Sequence, residues 1–136
     1  MPIPETPLAR VSVADATHTG ILTTDPDTRL TVVAHLMAER GVHAIAVTDA
    51  DYARRPLEFV TALDICAAAS TDGRIASEVA SPLRAIRSDR PVEDAARLMV
   101  QDGVEHLLVV DPSSGHAEGI ISSLDIAAVY GRRAPV

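Results

Sequence analysis

Two polar pairs in the chain share one spacing, a hydroxyl side chain followed three positions later by an aspartate. They are Thr61 with Asp64 and Ser122 with Asp125, and each pair closes a short apolar run. Such a pair starts a helix when the hydroxyl accepts a hydrogen bond from the third amide and the carboxylate reaches back. The same two groups can face a ligand at the helix N-terminus, where amides and the helix dipole favour phosphate. The sequence is compatible with both interpretations, and they can hold together.

The composition restricts the classes of partner and chemistry. With 136 residues, the chain is long enough for one domain, or for two half-domains that share a core. Its net charge of −7 opposes binding to a nucleic-acid backbone or an anionic membrane. One Phe, two Tyr and no Trp give little aromatic surface for base stacking. All 12 basic residues are Arg, so chemistry that needs a lysine is excluded.

The first ten residues and the single cysteine indicate the compartment. Residues 1–10 hold three prolines and no long apolar run, which predicts an extended or disordered leader rather than a signal peptide or membrane anchor. Cys66 has no possible intrachain disulfide partner, and its apolar neighbours predict a buried thiol in a reducing compartment. We therefore expect a cytoplasmic protein.

One order of elements, strand–helix–strand–strand–helix, occurs twice. Strands are predicted at residues 21–24, 44–47 and 57–60, and a short Ala-rich helix at 62–69. The long helix has apolar residues at i, i+3, i+4 and i+7 and should end near Gly41. Its apolar face recurs 62 residues later. The two faces are Leu30, Val33, Ala34 and Met37 in the first copy, and Val92, Ala95, Ala96 and Met99 in the second.

This repeat predicts an α/β fold of two pseudo-symmetric β-α-β-β-α repeats. Each repeat alone would leave a sheet face uncovered, so we expect the repeats to pack sheet to sheet about a pseudo-twofold axis. That packing creates two related clefts, which ligands prefer. The predicted organisation is a Pro-rich leader at 1–10, repeat 1 at 11–70, a linker at 71–73, repeat 2 at 74–131 and a tail at 132–136.

The sequence over residues 11–130 resembles a tandem pair of cystathionine-β-synthase (CBS) domains, also called a Bateman module. The second copy carries the resemblance most fully, with Ser81-Pro82 at its start and the form Gly-apolar-apolar-Ser-x-x-Asp over residues 119–125. The resemblance implies a nucleotide site in which the aspartate holds the ribose hydroxyls and the Ser or Thr lies beside the phosphate. A carboxylate suits a vicinal diol because it offers two acceptor oxygens and no competing donor.

The resemblance also implies which residues form the two sites, because in this family the strand that opens one repeat lines the cleft of the other. Aliphatic side chains such as Val42, Val60, Val104 and Ile120 would enclose the adenine. The implied residues of cleft A are Thr17, Gly20, Ile21, Leu22, His106, Ile120, Ser122 and Asp125. Those of cleft B are Pro82, Leu83, Arg84, His43, Val60, Thr61 and Asp64.

The chain departs from the family pattern where phosphates are usually neutralised. Related nucleotide-binding domains often place His or Arg after the helix-ending Gly-Val, whereas this chain has His43-Ala44 and Glu105-His106. His106 replaces an arginine only partly, and Glu105 would repel a phosphate. Glu58 stands where the motif prefers Gly, so cleft A ranks above cleft B.

Four other polar residues could contact an anion or a metal ion by their type and position. Arg84 and Arg87 flank the opening strand of repeat 2 and are candidates to contact a bound anion. His35 and Glu39 lie one helical turn apart, but without a third ligand they indicate a solvated helix face rather than a metal site.

We therefore expect a stand-alone regulatory module that binds an adenosine-type ligand, namely AMP, ADP, ATP, NAD(H) or S-adenosylmethionine. It would form a homodimer through apolar helix faces at 62–69 and 127–130 and signal to an effector protein by conformational change. The alternative is a structural or oligomerising pair without nucleotide affinity, in which Asp64 and Asp125 are only helix caps. No nucleophile–base pair, metal triad or Gly-rich phosphate loop indicates an enzyme, a metal site or a catalytic cofactor.

Overall fold

The computed structural model describes residues 7–49, 57–70 and 73–132. Short helices and strands alternate along these three stretches, and two longer helices stand at equivalent places in the two repeats. The elements are α1 (Pro7–Arg10), α2 (Val13–Ala16), β1 (His18–Thr19), β2 (Thr23–Thr24), α3 (Leu30–Arg40), β3 (Ala44–Val47), β4 (Glu58–Thr61), α4 (Ala62–Ala68), α5 (Ala76–Val79), β5 (Ala85–Arg87), α6 (Val92–Asp102), β6 (His106–Val110), β7 (Ala117–Ser122) and α7 (Ser123–Gly131).

The elements form two compact units. Unit 1 combines the described parts of residues 1–20 and 84–136, and its sheet has the strand order β1-β7-β6-β5. Unit 2 consists of the described residues between 21 and 83, and its sheet has the order β2-β3-β4. In both units a parallel pair and an antiparallel pair share the central strand, β6 or β3. The predicted α/β class with a repeated order of elements is confirmed.

The two long helices begin and end at equivalent residues, as the apolar spacing predicts. Each has 11 residues and is followed by a glycine, Gly41 or Gly103, with φ of 65° in both. This left-handed conformation suits glycine and ends the helix, and each glycine amide donates to the carbonyl of a buried methionine. The prediction that the first helix ends at Gly41 is therefore confirmed.

Each unit has its own aliphatic core, and the predicted helix faces supply much of both. Three of the four predicted residues in each face are buried, whereas Ala34 and Ala96 are half-buried. The buried core of unit 1 contains Val13, Ile86, Ala95, Met99, Leu107, Val109 and Ile121. That of unit 2 contains Leu30, Val33, Met37, Ile45, Val60, Ala68 and Ala76.

Two expectations from the sequence are wrong. Pro7–Arg10 forms a helical turn that packs on α6 and α7, so these four residues are not an extended leader. Cys66 is exposed rather than buried. Helix α4 turns Ile65 and Ala68 towards the core, and this places Cys66 on the outer side with Leu63, three residues earlier.

Several predicted features lie outside the described residues. They are the first six residues of the leader, two linker residues at 71–72, and the tail beyond Arg132. Over the three described stretches, no helix is both long and apolar enough to cross a lipid bilayer.

Candidate functional site

The segment that opens each repeat joins the last strand of the other repeat. In unit 1, β1 pairs antiparallel with β7, with His18 opposite Ile120 and Thr19 opposite Gly119. In unit 2, Ser81 and Phe59 exchange both backbone hydrogen bonds, at N–O distances of 2.7 and 3.0 Å. This exchange is the arrangement that the family resemblance implies. It brings residues from distant parts of the sequence to the strand that precedes each hydroxyl–aspartate pair.

Both hydroxyl–aspartate pairs form complete capping boxes. The Ser122 hydroxyl accepts from the Asp125 amide at 3.2 Å, and an Asp125 carboxylate oxygen accepts from the Ser122 amide at 2.8 Å. Thr61 and Asp64 make the same two hydrogen bonds at the same distances. The capping interpretation is therefore correct for both pairs. One oxygen of each carboxylate accepts the hydrogen bond of the box.

At the N-termini of α4 and α7, a backbone carbonyl accepts a hydrogen bond from the first helix amide. The first amide of α7, Ser123, donates to the carbonyl of Glu105 at 2.9 Å. The first amide of α4, Ala62, donates to the carbonyl of His43 at the same distance. Because the first and third amides are occupied, these termini offer a phosphate fewer donors than an uncapped helix would.

In unit 1, the sheet face that leads to Asp125 is half-buried. His106 lies directly opposite Ser122, and Leu108 lies opposite Ile120, so these four side chains share one face of β6 and β7. All four are half-buried, whereas the alternate residues on the other face are buried in the core. This face combines two aliphatic side chains, an imidazole and a hydroxyl beside the Asp125 carboxylate.

The corresponding face of unit 2 is closed. Its residues are Ala44, Ala46, Phe59 and Thr61, of which only Thr61 is not buried. Phe59, equivalent to Ile120, is fully buried, and alanines replace His106 and Leu108. The strand face beside Asp64 therefore has little side-chain surface for a ligand.

Six of the eight residues predicted for cleft A belong to unit 1. Thr17 and Gly20 flank β1, and the Gly20 amide donates to the carbonyl of Glu118 in β7 at 3.1 Å. The Thr17 hydroxyl donates to the carbonyl of Val13 at 2.6 Å, which leaves it able to accept. Ile21 and Leu22 belong to unit 2, where Leu22 packs against the core.

The residues predicted for cleft B are more dispersed. The Val60 side chain is fully buried in the core of unit 2. It therefore does not contact an adenine, contrary to the prediction. Arg84 belongs to unit 1 and pairs with Asp102 at 3.0 Å. Pro82 is exposed, and Leu83 is half-buried. Arg87, the other candidate anion contact, pairs with Asp89 at 2.7 Å.

A separate apolar groove of about 330 Å³ lies on unit 2 between the C-terminal end of α3 and the start of α4. His43, predicted for cleft B, lines this groove and not the closed sheet face. The lining residues are Ala34, Met37, Ala38, Gly41, Val42, His43, Ala62 and Ile65. The groove contains no carboxylate, so it does not resemble a ribose site.

Two residues of importance were not singled out from the sequence. Leu108 completes the aliphatic part of the unit 1 face, and strand alternation from His106 could have identified it. Phe59 closes the unit 2 face. It is the single Phe of the chain and lies two residues before Thr61, so its size and its place beside the hydroxyl–aspartate pair could have identified it. Among the described residues, no group of three or more His, Cys, Asp or Glu side chains could hold a metal ion.

Comparison with known proteins identifies the family. A model of the CBS domain matches residues 13–71 and 76–132. The chain belongs to the CBS domain family. One relative, an uncharacterised protein of Methanopyrus kandleri, is 26% identical over 125 residues, which cover 88% of this chain and 62% of the relative. The chain thus spans less than two thirds of that relative's length.

Solved structures share the fold of this CBS domain pair. The CBS domain pair of protein MJ0100, in complex with 5′-methylthioadenosine and S-adenosyl-L-methionine, superposes with a TM-score of 0.78 at 20% identity. The alignment covers 90% of this chain and 97% of that one. CBSX2 in complex with AMP gives a TM-score of 0.71 at 24% identity, covering 90% and 98% of the two chains. Both similarities establish the fold.

Proposed function

We propose that this CBS domain pair is a regulatory module that binds an adenosine-type ligand at the half-buried face of unit 1. The observation that carries the proposal is the placement of Ile120, Leu108 and His106 on one sheet face, beside the Asp125 carboxylate. The aliphatic side chains would contact the adenine, and Asp125 would accept hydrogen bonds from the ribose hydroxyls. Solved CBS pairs with AMP, or with S-adenosylmethionine and methylthioadenosine, support this ligand class.

The charges around the site favour ligands with little negative charge. Glu105 is exposed immediately before His106, and its carbonyl caps the helix that carries Asp125. The first and third helix amides are occupied, and the chain carries a net charge of −7. S-adenosylmethionine, which belongs to the predicted set, and methylthioadenosine therefore suit the site better than ADP or ATP.

The module acts through other chains in this proposal and has no catalytic role, catalytic cofactor or catalytic metal. It forms a homodimer, and ligand binding changes the conformation that an effector protein recognises. We also propose a cytoplasmic location, since Cys66 is the single cysteine and can form no intrachain disulfide. The sheet face beside Asp64 is closed, so the Asp125 site is the one that senses the ligand.

A thermal-shift comparison of two matched variants tests the proposal. Asp125→Ala and Asp64→Ala each remove a capping carboxylate with the same geometry, so both should lower the melting temperature of the ligand-free protein to a similar extent. The ligands are S-adenosylmethionine, methylthioadenosine, AMP and ATP. At 100 times its dissociation constant, a ligand adds about 2.7 kcal/mol to the stability of the wild type.

The expected result is a thermal shift that persists in Asp64→Ala and disappears in Asp125→Ala. Equal loss of the shift in both variants would contradict the assignment to unit 1. If no adenosine compound stabilises the wild type, the alternative holds, and the two aspartates serve only as the caps that the structure shows.

A further inference from the structure

Glu105 is an exposed carboxylate that the backbone fixes beside the helix that carries Asp125. Its carbonyl accepts a hydrogen bond from the amide of Ser123, the first residue of α7, at 2.9 Å. Each of the three carboxylates of α6 pairs with an arginine. In the described stretches of the chain, Glu105 by contrast has no ion-pair partner. An uncompensated negative charge therefore adjoins the proposed site.

Arg84 lies at the same end of the unit 1 sheet but does not compensate this charge. It precedes β5, which is parallel to β6, so it lies at the end where His106 begins β6. Its guanidinium pairs with the Asp102 carboxylate at 3.0 Å. That pair is neutral as a whole, so Glu105 and Asp125 give this end of the sheet its negative charge.

The equivalent of Glu105 in unit 2 is His43, 62 positions earlier. Its carbonyl accepts from the amide of Ala62, the first residue of α4, also at 2.9 Å. The two backbones thus cap their helices in the same way, and the side chains differ. Unit 1 therefore combines a half-buried sheet face with a carboxylate at this position, whereas unit 2 combines a closed face with an imidazole.

The order of residues along the strands indicates which part of a ligand would lie near Glu105. Leu108 and Ile120 form one cross-strand pair, and His106 and Ser122 form the next pair towards the start of β6. Glu105 comes immediately before His106 and so lies at the end of this row. The base and the 5′ substituent leave a ribose from opposite sides of its ring. With the adenine on the aliphatic pair and the ribose at the capping box, the 5′ substituent extends towards Glu105.

We infer that Glu105 selects the ligand of the unit 1 site by charge, so that the site binds a nucleoside sulfonium in preference to the corresponding neutral thioether. The inference rests on the proposed function and adds to it the residue and the ligand charge that decide specificity. S-adenosylmethionine carries its sulfonium on the 5′ substituent, bonded directly to the 5′ carbon. A sulfonium has no hydrogen-bond donor, so a nearby carboxylate recognises it by Coulomb attraction.

This charge distinguishes a methyl donor from what remains after methyl transfer. When a nucleophile takes the methyl group, the S–C bond breaks, its electron pair stays on sulfur, and the sulfonium becomes a neutral thioether. The thioether, S-adenosylhomocysteine, keeps the adenosine and the amino-acid group of the donor. The two ligands differ by one methyl group and one positive charge, so the module reports the donor rather than the product.

Isothermal titration calorimetry with three ligands tests the inference at low salt and about pH 7.5, where imidazole groups are mostly neutral. The ligands are S-adenosylmethionine, S-adenosylhomocysteine and methylthioadenosine. The wild type should bind the sulfonium about two- to fivefold more tightly than S-adenosylhomocysteine, the range of an exposed charge interaction. About 1 M salt should abolish most of this preference, because the Debye length falls to about 3 Å.

Two variants and one control assign the preference to Glu105. Glu105→Gln removes the charge and keeps the backbone carbonyl that caps α7, so the two affinities should become nearly equal. Glu105→Arg should reverse the preference. Glu39→Gln, the control, changes the net charge by the same amount in unit 2, where the Glu39 side chain is 62% exposed, and should leave the preference unchanged. Methylthioadenosine carries no charge, so its affinity should stay the same in every variant.

Equal binding of the sulfonium and the thioether by the wild type would overturn the inference. A preference that survives Glu105→Gln, or one that Glu39→Gln removes as well, would also overturn it. In each of these cases the wild type still binds adenosine compounds, so the proposed function stands. If none of the three ligands binds the wild type, the proposed function fails first, and the inference fails with it.

Discussion

His106 and Ser122 lie directly opposite each other on β6 and β7, on the half-buried face of unit 1. The equivalent pair in unit 2 is Ala44 and Thr61, where the alanine is buried. One unit therefore presents an imidazole and a hydroxyl side by side, whereas the other presents a hydroxyl beside a closed surface. This difference distinguishes two sites that share the same capping motif.

We expect the two capping hydroxyls to contribute equally to stability. Ser122→Ala and Thr61→Ala each remove a 3.2 Å hydrogen bond to the third amide of a helix. Each should lower the free energy of unfolding by about 1 kcal/mol, measured by urea denaturation. A much larger loss for Ser122→Ala alone would show that this hydroxyl has a structural role beyond the cap.

Removing the Glu105 charge should favour ligands with a phosphate. Glu105→Gln leaves the backbone carbonyl that caps α7 in place and removes only the exposed carboxylate. Affinity for AMP should rise about two- to fivefold, the range of an exposed charge interaction, while affinity for methylthioadenosine stays unchanged. Isothermal titration calorimetry measures both. An equal gain for the two ligands would show that the effect is not electrostatic.

Phe59 in unit 2 should contribute more to the free energy of unfolding than the equivalent Ile120 in unit 1. Phe59 is fully buried, and Phe59→Ala should lower the free energy of unfolding by about 3–5 kcal/mol. The equivalent Ile120 is half-buried, and Ile120→Ala should cost about 1–2 kcal/mol while weakening ligand binding. Urea denaturation gives both values. Similar losses would mean that Ile120 is as fully packed as Phe59.

Acid should lower the stability of the protein through the turn between β6 and β7, which contains Asp111. The amides of Ser113 and Ser114 donate to the Asp111 carboxylate at 2.6 and 3.1 Å and lower its pKa below the ordinary value of 3.8. Because the folded pKa is lowered, the stabilisation is present above the unfolded value and is lost as pH falls through the folded value. Between pH 5 and about pH 2, the wild type should lose more stability than Asp111→Asn.

NMR titration of the Asp111 carboxyl carbon measures its pKa directly. The Asp111→Asn protein provides the assignment, since its spectrum lacks that resonance. A midpoint at or above 3.8 would contradict the effect of the two amide donors.

Local signals predicted the long helices and the caps. The apolar spacing predicted α3, and the following glycine located its C-terminal end, because both signals depend on residues within a few turns of each other. The hydroxyl–aspartate spacing likewise predicted both capping boxes, whose hydrogen bonds span only three residues. The repeat of these signals predicted the α/β class.

Features that depend on distant packing were not predicted. Helix α4 is almost entirely apolar and lacks a polar face, so its periodicity could not show that Cys66 faces outwards. The buried positions of Val60 and Phe59 depend on which sheet faces are covered, and strand alternation alone does not determine that. The hydroxyl–aspartate pair occurs in both repeats, so the pair itself does not show that one of the two sheet faces is closed.

The exchange of opening segments sets the order in which the chain can fold during synthesis. Unit 2 is continuous from residue 21 to residue 83, so all of its strands are synthesised before residue 84 is added. Strand β1 is made earlier, but its partner β7 begins at Ala117, about a hundred residues later. Long-range strand pairing of this kind is slow, and an unpaired strand invites pairing with other chains. Of the strands in the described residues, β1 is thus synthesised first and is among the last to be paired.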